Sequence, residues 1–162
     1  MVKSIERIAF EFWSGIGRVS DLEAWAESDL KSDCPHADSY ELFGLSRESA
    51  EWYSLRLAKD RSGFTPVSEA GERVAFEVLR DQCRALLSGE TDPMQFCSLV
   101  QRVEAAFLGR EPGSDGTIHS PDWLDALWHC CDWCDESWTI DRAPHLAEQA
   151  RRLLGLQQHQ PG

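Results

Sequence analysis

Between His119 and Trp138 the 162-residue chain reads HSPDWLDALWHCCDWCDESW, which holds four of its seven tryptophans, three of its six cysteines and five acids. Residues of these types could do three kinds of chemistry. Cys131 and Cys134 form a C-x-x-C pair beside His129, and cysteine and histidine are the ligands zinc favours. A cysteine with a lowered pKa could act as a nucleophile. Asp125 with His129 or Asp132 could exchange protons as a general acid and base, since spacings of four and seven place residues near one another on a helix.

A helix wheel sorts these options. Advancing about 100° per residue puts Asp122, Asp125, His129, Asp132 and Glu136 inside an arc of about 80°. Trp123, Leu124, Leu127, Cys130, Cys131 and Cys134 take the opposite side, and Trp128 and Trp133 fall at the two borders. The cysteines therefore share the face of the leucines and are expected to be core thiols. His129 points away from them, the remaining cysteines (Cys34, Cys83 and Cys97) are single, and no second ligand pair completes a zinc site. Mid-helix thiols among acids have raised pKa values, which opposes nucleophilic catalysis.

The acidic stripe is the more informative feature. From Glu111 to Asp141 there are eight acids and no lysine or arginine. Exposed helices ordinarily mix signs and gain i, i+4 pairs. A single-sign field bordered by indoles suits a basic protein partner, whose arginines can pair with carboxylates and stack on tryptophan. The candidate partner-binding residues are Asp122, Asp125, Trp128, His129, Asp132, Trp133, Asp135 and Glu136; the competing reading is a solvated face. A second acidic run, Asp21 to Glu41, sets seven acids against Lys31 alone. There the expectation is Trp25 in the core and the acids in water.

The whole-chain totals agree. Sixteen Lys and Arg against 28 Asp and Glu leave a formal charge of −12, a field that repels nucleic acid and anionic membranes. No run approaches the roughly 20 apolar residues of a membrane-spanning helix, and the amino terminus lacks a signal-peptide core. A cytoplasmic protein is expected, with its cysteines reduced.

Helix signals recur and strand signals do not, so the expected fold is all-α: one domain over residues 1–155, six to seven helices, and a frayed tail at 156–162. Ser4 caps a first helix bearing Ile5, Ile8, Ala9 and Phe12. SDLE at Ser20–Glu23 reads as a capping box opening a helix with Leu22, Trp25, Ala26 and Leu30 inward. After the break at Cys34-Pro35, a short helix spans about Asp38 to Phe43 and ends at Gly44. Ser46 caps another to about Asp60, with Ala50, Tyr53 and Leu57 inward. A long helix runs from Pro66 to about Leu87, with Ala75, Phe76, Leu79, Cys83 and Leu86 buried. The next runs from Pro93 to Gly109 with Phe96, Leu99, Val100, Val103 and Phe107 as its stripe. Ser120 caps the helix of the opening stretch, with Pro121 at its first position, and a last helix spans Pro144 to Leu154, with Leu146, Ala150, Leu153 and Leu154 inward.

Three pieces, DLEAWAESDLKSDCP, ALLSGETDPMQFCSLVQRVEAAF and PDWLDALWHCCDWCDE, resemble small all-helical immunity proteins of bacterial polymorphic toxin systems. The resemblance implies a cytosolic, non-catalytic protein that plugs a cognate toxin. It carries no catalytic residues, and in the last piece it matches Trp123, Asp125, Trp128, Asp132, Trp133 and Asp135. The leading expectation is thus an immunity protein that neutralises a basic toxin, such as a nuclease, without cofactor or metal. The alternatives are a small metal-dependent hydrolase using Asp125, His129 and Asp132, and a helical adaptor.

Overall fold

The structure, a computed structural model, describes residues 1–108 and 121–155. Among the described residues it is all-helical, with seven α-helices, two short 3-10 helices and no strand. Within the span expected to form the domain the chain divides into two compact units, Met1–Val74 and Ala75–Gly162, and each is described by itself. Ser120, the Gly109 terminus and the 156–162 tail lie outside the described residues.

In the first unit, α1 (Ile5–Trp13) starts where Ser4 accepts a hydrogen bond from the Arg7 N–H at 3.2 Å. It buries Ile8, Ala9, Phe10 and Phe12 and packs on α3 (Arg47–Ser62), which is capped by Ser46 as expected. Arg47 of α3 reaches back to the loop that ends α1, donating to the carbonyls of Gly15 (2.8 Å) and Gly17 (2.9 Å). Tyr53 is half-buried and not a core residue; its hydroxyl donates to Glu41 at 3.1 Å.

Helix α2 (Val19–Leu30) corrects the expected capping box. The helix begins one residue before Ser20, with Arg18 in the cap position and no side-chain bond there. Glu23 turns away from the helix start and accepts the Gly44 N–H at 3.0 Å. A tertiary donor has claimed the carboxylate that a capping box would use locally. Leu22, Trp25 and Ala26 are buried as expected, while Leu30 is half-exposed.

One acid of the 21–41 run is not solvated. Asp29, 8% exposed, accepts the Ser39 hydroxyl at 2.6 Å and the His36 N–H at 2.7 Å on one carboxylate oxygen. Its other oxygen takes Arg61 of α3 at 3.1 Å, whose guanidinium lies over Trp25. These contacts join α2, the 3-10 helix Ala37–Leu42 and α3. Burial pushes the carboxyl up, but the Ser39, His36 and Arg61 interactions outweigh it and hold Asp29 below its ordinary value of 3.8.

Helix α4 (Glu69–Ser88) begins later than Pro66. Ser68 donates to the Thr65 carbonyl and accepts the Gly71 N–H at 3.1 Å, which sets the true start. Gly71 is there because a Cβ would lie 1.6 Å from the Pro66 carbonyl oxygen. The division between units falls inside this helix. Its second-unit part buries Ala75, Phe76, Leu79, Cys83 and Leu86.

Helix α5 (Pro93–Leu108) opens with a reciprocal cap: Asp92 accepts the Gln95 N–H at 2.8 Å, and the Gln95 amide oxygen accepts the Asp92 N–H. Its stripe is buried as expected except Leu99, which is half-exposed. Helix α6 (Asp122–Cys131) packs on α5 and on α7 (Pro144–Gly155), a second short 3-10 helix (Ile140–Arg142) intervening. Pro121 is the residue before α6 and not its first helical position. Leu146, Ala150 and Leu153 face inward on α7; Leu154 is half-exposed, and its carbonyl accepts Arg80 of α4 at 3.1 Å.

Asp29→Asn is expected to lower stability at neutral pH by about 1–3 kcal/mol, because it leaves Arg61 without its charge partner. The wild-type contribution is complete above the unfolded value and fades as pH falls through the lowered folded value. Urea unfolding across acid pH should therefore show a shallower acid limb in the variant. Equal acid limbs would mean that the carboxylate charge is not what holds this junction.

Candidate functional site

Helix α6 buries Leu124, Leu127 and Cys131, each no more than 1% exposed, and turns Asp122, Asp125 and His129 outward. The two aspartates occupy its first turn and His129 its last, which matches the positive amino end and negative carboxyl end of the helix dipole. His129 Nε2 lies 3.4 Å from an Asp125 carboxylate oxygen, a solvent-screened i, i+4 contact. Trp128 is half-buried at the border, edge-on to His129. Trp123, also half-buried, meets the Phe76 ring edge-on at 5.3 Å.

The wheel fails beyond Cys131. The helix ends there, so Asp132, Trp133, Asp135 and Glu136 do not continue the stripe; all four are exposed in the turns that follow. Asp132 adopts φ −61°, ψ 134°, Trp133 adopts φ 69°, and the Cys134 N–H bonds the Cys131 carbonyl at 3.1 Å. Those dihedrals are close to those of a type II turn, whose third residue is ordinarily glycine. Trp133 is the one non-glycine residue with positive φ among the described residues. It is also 87% exposed. A bulky side chain in this region costs about 1–3 kcal/mol, and nothing buried compensates for it.

The next turn is tied by Asp135, which accepts both the backbone N–H of Ser137 at 2.7 Å and the Ser137 hydroxyl. The hydroxyl bond first, then the backbone bond, hold this exposed carboxyl below its ordinary value. Trp138 is half-buried against His145, ring centroids 5.1 Å apart. All eight candidate residues thus reach the surface, four from α6 and four from the turns after it.

The cysteine expectation needs correction. Cys97 of α5 and Cys131 of α6 are joined in a disulfide, their Cα atoms 5.2 Å apart, inside the 4.4–6.8 Å range that the bond requires. The stripe that carries Cys97 inward on α5 meets the leucine face that carries Cys131 inward on α6. Two thiols expected to pack as apolar groups are thereby brought into bonding contact. Cys83 remains a buried thiol, raised to about 12 chiefly by burial. Cys130 and Cys134 are half-exposed free thiols. Both are shifted upward, Cys130 mainly by burial and Cys134 by burial and then by Asp135 and Asp92.

Sequence reasoning missed Glu104. It is 9% exposed on α5, and burial raises its carboxyl first, with Asp125 adding to the shift and His129 opposing it. The signal was present: Glu104 lies four residues after Val100 and three before Phe107, an ionisable residue on the apolar stripe. Asp132, past the end of α6, does not join Asp125 and His129 as a ligand set. Among the described residues no group of three or more His, Cys, Asp or Glu is placed to hold a metal ion.

The acids of the 21–41 run behave differently from those of the α6 region. Asp21 pairs with Lys3 at 2.8 Å, Glu27 with Lys31 at 2.7 Å, and Asp29 with Arg61. Glu23 and Glu41 accept bonds from other elements. Those carboxylates are largely spent on their own unit, whereas Asp122, Asp132 and Glu136 stand exposed in a stretch without lysine or arginine.

Trp133→Gly is expected to keep or raise stability, by up to about 1 kcal/mol, because glycine adopts positive φ without strain. Trp133→Ala, which keeps a Cβ at that φ, should be less stable than the glycine variant. Urea denaturation of the three proteins checks the order; a glycine variant no more stable than the alanine one would mean that the positive φ carries no strain, and a wild type more stable than both would mean that the indole is held by packing. No family model, curated protein or solved structure matches the chain, so the meaning of this surface rests on its own residues.

Proposed function

We propose that the chain is a non-catalytic binding protein that captures a basic protein partner on the exposed side of α6 and the turns after it, in the manner of an immunity protein neutralising a cognate toxin. The observation that carries this reading is Trp133, a fully presented indole held in a backbone conformation that disfavours it. Exposed aromatic anchors are the residues on which interface energy concentrates. Strain kept at a solvent-facing residue is characteristic of functional positions. The surrounding carboxylates supply the complementary field, accelerating encounter with a basic surface and discouraging nucleic acid.

Among the described residues no helix is long and apolar enough to cross a membrane. The expected cytoplasmic location bears on the disulfide, because in reducing compartments disulfides are usually transient or redox-sensing.

The test is capture from the native host at low salt with three baits: wild type, Trp133→Ala, and Asp122→Asn/Asp125→Asn. Wild type should retain a basic protein, and the tryptophan variant should bind it at least about 30-fold more weakly, the loss of an interface anchor. Raising the salt should slow association with wild type more than with the double variant. A partner that binds all three baits equally would refute this surface as its site.

A further inference from the structure

The disulfide lies where α6 stops, and a second cysteine, Cys134, follows Cys131 by three residues. Cys134 closes the 131–134 turn through its N–H bond to the Cys131 carbonyl. In such a turn the outer Cα atoms stand within about 7 Å, the limit of what a disulfide can span. The present partner, Cys97, belongs to α5, which packs on α6. Cys131 and Cys97 are buried at 1% and 2% exposure, whereas Cys134 is half-exposed and free. Cys130 competes poorly, because its neighbour on a helix points about 100° away.

We propose that Cys131 is a shared sulfur that exchanges between two disulfides, an α5–α6 clasp with Cys97 and a local C-x-x-C bond with Cys134. In the exchange the Cys134 thiolate attacks Cys131 Sγ. The Cys131–Cys134 bond forms as the Cys97–Cys131 bond breaks, and the electron pair leaves on Cys97 Sγ. Cys97 takes up a proton equivalent to the one lost from Cys134, so no external oxidant or reductant is consumed. The clasped form is the one the structure holds, and burial with the neighbouring Asp135 and Asp92 slows its exchange by disfavouring the Cys134 thiolate. In the exchanged form α5 and α6 lose their covalent tie, and the bond closes a small ring around Asp132 and Trp133. This chemistry concerns the sulfurs alone and does not depend on the identity of any partner.

The experiment uses the full oxidised chain, incubated from neutral to alkaline pH, then acid-quenched, alkylated and peptide-mapped by mass spectrometry. Cys97 should become alkylatable as the Cys131–Cys134 peptide appears, with a rate rising about tenfold per pH unit below the Cys134 pKa. Cys134→Ser should abolish both changes and retain the Cys97–Cys131 link. Cys97→Ser, treated with oxidised glutathione, should form the Cys131–Cys134 bond and release two glutathione thiols. Circular dichroism of that variant separates loss of fold from loss of chemistry; should it not fold, the wild-type map decides. Absence of a Cys131–Cys134 peptide from the wild type at every pH, or its replacement by a Cys97–Cys134 link, would overturn the proposal.

Discussion

At Cys131 the chain meets two demands at once. The residue must sit in the apolar layer between α5 and α6, and its sulfur is bonded to Cys97. Helix α6 reaches that point with Leu124 and Leu127 on the same face, and the next residue leaves helical dihedrals. Every later feature of the candidate surface is placed by that stop. Trp133 points into water because the chain turns there; a continued helix would have set it at the edge of a stripe. Asp132, Asp135 and Glu136 become parts of two small turns, held by backbone bonds and by Ser137.

The two acidic runs show how little composition says about exposed charge. In the first unit, lysine or arginine stands beside Asp21, Glu27 and Asp29, and Asp29 works as an internal tie between three elements. Its net effect is structural, since the bonds it accepts outweigh the cost of burying it. Around α6 the same residue type faces water with histidine and serine for neighbours. The potential of such a stretch extends about a Debye length into solvent, where an approaching protein can feel it.

Most helices were legible in the sequence because their apolar stripes repeat at helical spacing and their caps are local chemistry. Ser4 and Ser46 are read correctly for that reason, and so is the restart at Pro93. What was not legible came from contacts distant in sequence. SDLE has the form of a capping box, yet Glu23 serves Gly44, twenty-one residues on. Nothing after Cys131 spells a helix stop, with neither glycine nor proline in DWCDESW, so a wheel drawn to Glu136 overruns the helix by five residues. The Cys97–Cys131 pair lies 34 residues apart, and no spacing rule joins two single cysteines on separate helices. Glu104 is legible as a charge on an apolar stripe, but the regular hydrophobic pattern around it gives no sign of the Asp125 and His129 that act on it.

The turn after α6 also has a genetic side. Tryptophan's single codon differs by one base from a glycine codon, and glycine is the residue that this backbone conformation favours. Relief of the strain at position 133 is therefore one nucleotide away and meets no steric obstacle. A lineage that had no use for the indole would have a short downhill path to losing it, so persistence of the ring there in descendants of this gene would itself measure how long the demand for it has lasted.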